Sequence, residues 1–247
     1  MLYCINDERL NVSLEVPKMS QHFKAAIFDM DGLLFDTESI ARWAWKKALE
    51  NHGYGMSDNF FNDLYKEFIG RDLSWREKFL KRRYGASFPF ESVKAERIKI
   101  GDDREMQEGL PIKPGALELL NQLSAFGVIL GLATGTSLIR TTRRLMNAGI
   151  YQNFATIVTS ENVAQGKPAP DIFLEVSRRI DVAPQECVVF EDSFVGVEAA
   201  SSARMCTIMV PDLEQPSAQI RSLAYKVLDS LEQASELLEE LFGVKIK

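Results

Sequence analysis

The sequence has no run approaching the ~20 apolar residues that a membrane-spanning helix needs. Its first residues, MLYCINDERLNVSLEV, interrupt their apolar content with Asp7, Glu8 and Arg9. The expectation is a soluble chain with neither a spanning segment nor a secretory leader. Basic charge is scarce as well: 29 Lys and Arg stand against 35 Asp and Glu, a formal net charge of -6. No basic run of the kind that neutralises a nucleic-acid backbone occurs, so nucleic acid is excluded as the expected partner. Cysteine is limited to Cys4, Cys187 and Cys206, odd in number, widely spaced and without a CxxC pair. That usage suits small buried hydrophobes in a reducing compartment rather than a disulfide framework, and the expected location is the cytoplasm. Internal repeats and low-complexity segments are missing too.

What is present is apolar content in a regular order. At 247 residues and 46% hydrophobic, the chain can bury a large core and is long for one compact domain but short for two. FKAAIF (23–28) is too short for a helix, ends in acidic residues and Gly, and predicts a buried parallel strand. VILGLA (128–133), ATIVTS (155–160), CVVFE (187–191) and CTIMV (206–210) share its character. Helical patterns over 115–126, 137–148, 170–181 and 193–203 separate them. Strands alternating with helices of that length predict right-handed βαβ crossovers, an α/β fold with a doubly wound parallel sheet. A weak strand at 225–228 and a closing helix over 230–241 complete the pattern.

The interval 37–112 breaks this alternation. Its apolar residues recur at helical spacing, as in Ile40, Trp43, Ala44 and Ala48, then Phe60, Phe61, Leu64 and Phe68. A connection inside an α/β core does not need so many residues, so an all-helical insertion of about four helices is expected. The expected organisation is an N-terminal extension over 1–22, a core over 23–36 and 113–247, and a helical cap over 37–112.

The chemistry-bearing residues stand at strand ends, where open α/β sheets place their ligands. Asp29-Met30-Asp31-Gly32 follows the first strand directly. An EF-hand loop would require a ligand at its fifth position and Gly at its sixth, where Leu33 and Leu34 stand. VILGLA runs into Thr134-Gly135-Thr136, a hydroxyl beside a Gly that lets backbone N–H groups approach an anion. Gly166-Lys167-Pro168 places one Lys before a helix, and the fourth strand runs into Glu191-Asp192-Ser193. Taken singly, Thr134 suits a turn, Lys167 a solvated cation, and Glu191-Asp192 a helix start. Taken together, they put acids, a hydroxyl and a cation at four strand ends.

Those strings carry a family resemblance. DMDGLLFDTE (29–38), LATGT (132–136), GKPAPD (166–171) and FEDS (190–193) resemble, in order and spacing, the four motifs of the haloacid dehalogenase superfamily in its helical-cap phosphatase and phosphomutase branch. The resemblance covers about residues 24–211. It implies a magnesium-dependent phosphatase that acts on small phosphorylated metabolites, sugar phosphates foremost, through an aspartyl phosphate. It implies Asp29 as nucleophile, Asp31 as acid/base, and a metal held by Asp29, the Asp31 backbone carbonyl and Asp192, with Glu191 reaching the metal through water. Thr134, Lys167, Gly32 and Gly135 would hold the phosphoryl group, and Arg71 in the cap string FIGRD would touch the substrate's polar body. The physical chemistry agrees: an anionic nucleophile attacking an anionic ester needs its repulsion cancelled, and hard oxygen ligands with phosphate favour magnesium.

Four other functions compete. Dehalogenating members lack an acid at the position of Asp31, because a halide leaves without a proton. Mutases of the β-phosphoglucomutase subgroup carry a His after DTE where Ala41 stands here. A receiver-like signalling module or a silent binding protein would need neither the long helical insertion nor the complete set of turnover residues. A monomer is the default for the assembly.

Overall fold

A computed structural model describes residues 22–244 apart from positions 70 and 72. Cys4 and, His22 aside, the expected N-terminal extension lie outside the described residues. Among the described residues six strands, β1 (Ala25–Phe28), β2 (Ile129–Thr134), β3 (Thr156–Thr159), β4 (Cys187–Glu191), β5 (Cys206–Met209) and β6 (Lys226–Val227), form one parallel sheet in the order β3-β2-β1-β4-β5-β6. β1 is entirely buried, as its continuous apolar run requires of a central strand covered on both faces. Its alternation divides the core. Ala26 and Phe28 join Leu119, Leu123 and Leu241 on one face, while Ala25 and Ile27 join Phe173, Val176 and Ala200 on the other. Phe28 also stacks on Phe190 of β4, with centroids 4.8 Å apart, which ties the two strands that carry most of the acids.

Helices α1 (Thr37–Asn51), α2 (Asp58–Lys66), α3 (Leu73–Tyr84) and α4 (Phe90–Glu108) fill the interval after β1. α1 starts where the sequence dictates: the Asp36 carboxylate accepts from the Ser39 N–H at 3.0 Å, an N-cap bond that satisfies an otherwise orphaned donor. These helices enclose an aromatic core of their own, with Trp45, Phe61, Tyr65, Phe68, Phe88 and Phe90 buried together. The chain enters and leaves them side by side. The Asp36 N–H donates to the Pro111 carbonyl at 2.8 Å, and the Lys113 N–H to the Leu34 carbonyl at 2.9 Å.

The remaining helices are α5 (Ala116–Ala125), α6 (Leu138–Asn147), α7 (Asp171–Ile180), α8 (Phe194–Ser202), α9 (Ala218–Leu223) and α10 (Leu238–Phe242). The closing helix expected over 230–241 forms instead as a 3-10 stretch, Leu231–Leu237, followed by α10. The cause is visible in the spacing: Leu231, Ala234 and Leu237 are all buried, and three residues per turn keeps such a set on one face. Among the described residues no helix is long and apolar enough to cross a membrane.

Candidate active site

Because β1 has β2 on one side and β4 on the other, its carboxyl end is the point at which the strand order departs in two directions, the place where open α/β sheets bind their ligands. β1 delivers Asp29 and Asp31 to it, β2 Thr134, β4 Glu191 and Asp192, and the loop after β3 Lys167. Asp29 is only 6% exposed. The Lys167 ammonium pairs with the Asp29 carboxylate and, at 2.5 Å, with Glu191 Oε1; it also donates to the Ala133 carbonyl at 3.2 Å. The other Glu191 oxygen accepts from both the N–H and the hydroxyl of Ser193 at 2.9 Å, at the start of α8. Gly196 makes that possible, since a Cβ there would lie 1.9 Å from the Glu191 carboxyl carbon.

The carboxyls crowd one another. Asp29, Glu191 and Asp192 each present an oxygen within 4.8 Å of the others. Burial above all, and then the neighbouring charges of Glu191 and Asp31, raise Asp29 from 3.8 to about 7 against the opposing pull of Lys167. Asp192 is likewise pushed well above the usual carboxylate range by burial, with Glu191 and Asp29 adding to it. Burial acts to lower the Lys167 ammonium, but Asp29 and Glu191 override it and the group is raised. Three crowded carboxyls with one lysine between two of them are a place where a divalent cation would offset the remaining repulsion. The donor set is all hard oxygen, as magnesium prefers. Gly32 has φ +90, and a Cβ on it would meet Asp192 Oδ2 at 2.2 Å, so this position must be Gly for Asp192 to reach the cluster.

The Asp31 carboxyl turns toward α6. Its Oδ2 accepts from the Thr136 hydroxyl at 2.7 Å and the Thr134 hydroxyl at 3.2 Å, and its Oδ1 pairs with Arg144 Nη1 at 2.5 Å. Thr134, fully buried, also accepts from the Thr136 N–H at 3.1 Å. Beyond Arg144 lies Glu105 of α4, bound at 2.7 and 3.0 Å by Arg144 and at 2.8 Å by Arg143.

Of the residues singled out from the sequence, Asp29, Lys167, Glu191 and Asp192 thus converge, and Asp31 and Thr134 join at the α6 side. The Gly135 carbonyl accepts from the Ser160 hydroxyl at 2.8 Å, fixing that loop. Arg71 is not drawn into the cluster. Its guanidinium lies over the Trp75 ring at 5.2 Å, and it lines a separate pocket of about 370 Å³ with Lys66, Ile69 and Glu214. Sequence reasoning missed Thr136, Arg144 and Glu105. A signal existed for Arg144, which shares with Thr141 and Leu145 the spacing of one buried helix stripe, an unusual place for a guanidinium.

Known proteins resemble this chain in sequence and in fold. A phosphorylated carbohydrates phosphatase of Thermotoga maritima is 34% identical over 180 residues, 73% of this chain and 81% of that protein. Hexitol phosphatase B of Escherichia coli is 29% identical over 216 residues, 87% of this chain and 96% of its own length. The crystal structure of β-phosphoglucomutase from Clostridium difficile superimposes with a TM-score of 0.63 at 25% identity, covering 90% of this chain and 97% of that one. Residues 23–204 match the haloacid dehalogenase-like hydrolase family, and the chain belongs to it.

Proposed function

We propose that this hydrolase is a magnesium-dependent phosphatase that cleaves small phosphorylated metabolites, sugar phosphates foremost, through an aspartyl phosphate on Asp29. The observation that carries the proposal is the close grouping of Asp29, Glu191 and Asp192, the first two buried and paired with Lys167, with the Asp31 carboxyl bound instead by Thr136 and Arg144. In the first step an Asp29 oxygen attacks phosphorus and the ester P–O bond breaks, while Asp31 gives its proton to the departing oxygen. In the second, water attacks the same phosphorus, its proton passes to Asp31, and inorganic phosphate leaves with Asp29 restored. Lys167 and the loop N–H groups at Gly135, with Thr134, hold the phosphoryl oxygens, while Gly32, whose N–H donates to the Phe35 carbonyl at 2.9 Å, serves by leaving room beside Asp192. Asp29, Asp192 and the Asp31 backbone carbonyl are the ligands assigned to magnesium, which when bound would offset the charge of nucleophile and phosphoryl group. Glu191, with its oxygens taken by Lys167 and Ser193, suits a supporting place behind them.

The proposal includes the division into core (23–36 and 113–247) and cap (37–112), supported by the paired crossings at Asp36 and Lys113. The cap would exclude water while the ester is cleaved. Arg71 on it would meet the substrate's polar body. The names of the relatives, which specify carbohydrate and hexitol phosphates, support the substrate class. A reducing, cytoplasmic compartment fits the free thiols of Cys187 and Cys206, each pushed up to about 12 by burial, and a monomer is the default assembly.

The test is release of inorganic phosphate from a panel of sugar phosphates, nucleotides and 4-nitrophenyl phosphate with and without magnesium. Asp29→Asn is expected to abolish release with the fold intact by circular dichroism. More than a few percent of residual activity in that variant would remove Asp29 as nucleophile.

A further inference from the structure

The acid/base carboxyl is wired to the helical insertion. Arg144 is only 8% exposed and sits between two carboxylates of different origin, Asp31 after β1 and Glu105 on α4. Its Nε and Nη2 are committed to Glu105 at 3.0 and 2.7 Å, which leaves Nη1 for Asp31. A planar guanidinium held along one edge by two bonds presents its remaining donor in a fixed direction. Glu105 is itself 5% exposed and clasped from a second side by Arg143. One turn away, Arg140 pairs with Asp102, so α4 and α6 are joined by a ladder of ion pairs along their facing sides. The opposite oxygen of Asp31 is taken by the hydroxyls of Thr136 and Thr134. The carboxyl is therefore pinned on both sides, by the β2 loop and, through Arg144, by the insertion.

We infer that Arg144 is a positioning residue that transmits the placement of helix α4, through Glu105, to the orientation of the Asp31 carboxyl during proton transfer to the leaving group. The inference rests on the acid/base role proposed for Asp31 above. With Glu105 in place, Arg144 offers Asp31 one nitrogen and the carboxyl keeps a defined heading. Without Glu105 the freed guanidinium can rotate onto Asp31 with two donors. Without Arg144 the carboxyl loses one of its two anchors, and Glu105 is left buried with Arg143 alone.

The readout is the dependence on leaving group, which a purely structural defect would not change. 4-Nitrophenol leaves with little need of a proton, whereas phenol, a weaker acid, needs one, so phenyl phosphate reports on Asp31 and 4-nitrophenyl phosphate serves as its control. With full-length protein and magnesium, kcat/KM is measured for both esters in Arg144→Met, Arg144→Lys, Glu105→Gln, the double variant Arg144→Met/Glu105→Gln, and Asp31→Asn. We expect Arg144→Met and Glu105→Gln each to lower the phenyl ester about tenfold more than the 4-nitrophenyl ester, the scale on which a misplaced acid loses its effect. The double variant is expected to match Arg144→Met, because Glu105 acts only through Arg144. Arg144→Lys, whose ammonium cannot reproduce the fork, is expected to show the same selective loss and carries the test if Arg144→Met does not fold. Equal losses for both esters, or additive effects in the double variant, would overturn the inference. A selective loss in Asp31→Asn with none in the Arg144 and Glu105 variants would overturn it alone, whereas no selective loss in Asp31→Asn would also remove the acid role of Asp31.

Discussion

Asp29→Asn should make the metal-free protein more stable while removing its activity. Burial, the largest influence on this carboxyl, raises it from 3.8 to about 7. Between those values the folded protein holds a proton that the unfolded chain has released, so stability falls as pH rises through that window. At ~1.4 kcal/mol per pH unit, the ionised carboxylate costs roughly 4 kcal/mol above pH 7. Asn removes that cost but also the pairing with Lys167, which keeps Glu191 as its partner. A net gain of about 2 kcal/mol is the expectation, or roughly 4–8 °C in Tm for a chain of this size. The assay is thermal unfolding by circular dichroism in chelator, for wild type and variant, at pH 8 and pH 5. The gain should be present at pH 8 and shrink at pH 5, where wild-type Asp29 takes up its proton. Adding magnesium should raise the wild-type Tm and narrow the gap, since a ligand that binds only the folded state stabilises it. A variant less stable than wild type at pH 8, or a gain of equal size at both pH values, would refute the account of Asp29 as a buried carboxylate kept for chemistry at the expense of stability.

Two further outcomes concern the metal and the fate of the phosphoryl group. Asp192→Ala should lose activity at millimolar magnesium, and chelation should abolish wild-type activity with recovery on adding magnesium; normal activity and normal magnesium dependence in the variant would break the ligand assignment. Hydrolase and mutase separate by phosphorus NMR on β-glucose 1-phosphate and glucose 6-phosphate, with and without a bisphosphate activator. Ala41, where a mutase has its His, predicts free phosphate in proportion to substrate consumed, and interconversion much faster than phosphate release would overturn the phosphatase assignment.

The sheet and most of the acidic cluster were legible in the sequence because both are local. FKAAIF and CVVFE declare buried parallel strands by their continuous apolar runs, and the residues that follow each run must emerge at its carboxyl end whatever the rest of the chain does. Asp29, Glu191 and Asp192 were therefore assignable to one crevice from the strand pattern alone. The insertion after Thr37 was visible in the same way, as a change of hydrophobic period. What only the tertiary structure decided depends on which faces meet. Arg144 and Glu105 lie 39 residues apart, and although the buried stripe of α6 singles out Arg144, nothing in the sequence names Glu105 as its partner until α4 and α6 are laid together. The direction of the Asp31 carboxyl, toward Arg144 and Thr136, is a choice among rotamers made by those partners. Where the Arg71 guanidinium rests, over Trp75 and beside Lys66, Ile69 and Glu214, is likewise decided by the packing around it rather than by its string. The 3-10 form of Leu231–Leu237 belongs to the same class, since only contact with the sheet face made the three-residue spacing outweigh helix propensity. Strand ends are positioned by the backbone, which a sequence pattern can specify, whereas side-chain direction and ion pairing are set by neighbours distant in the chain, which it cannot.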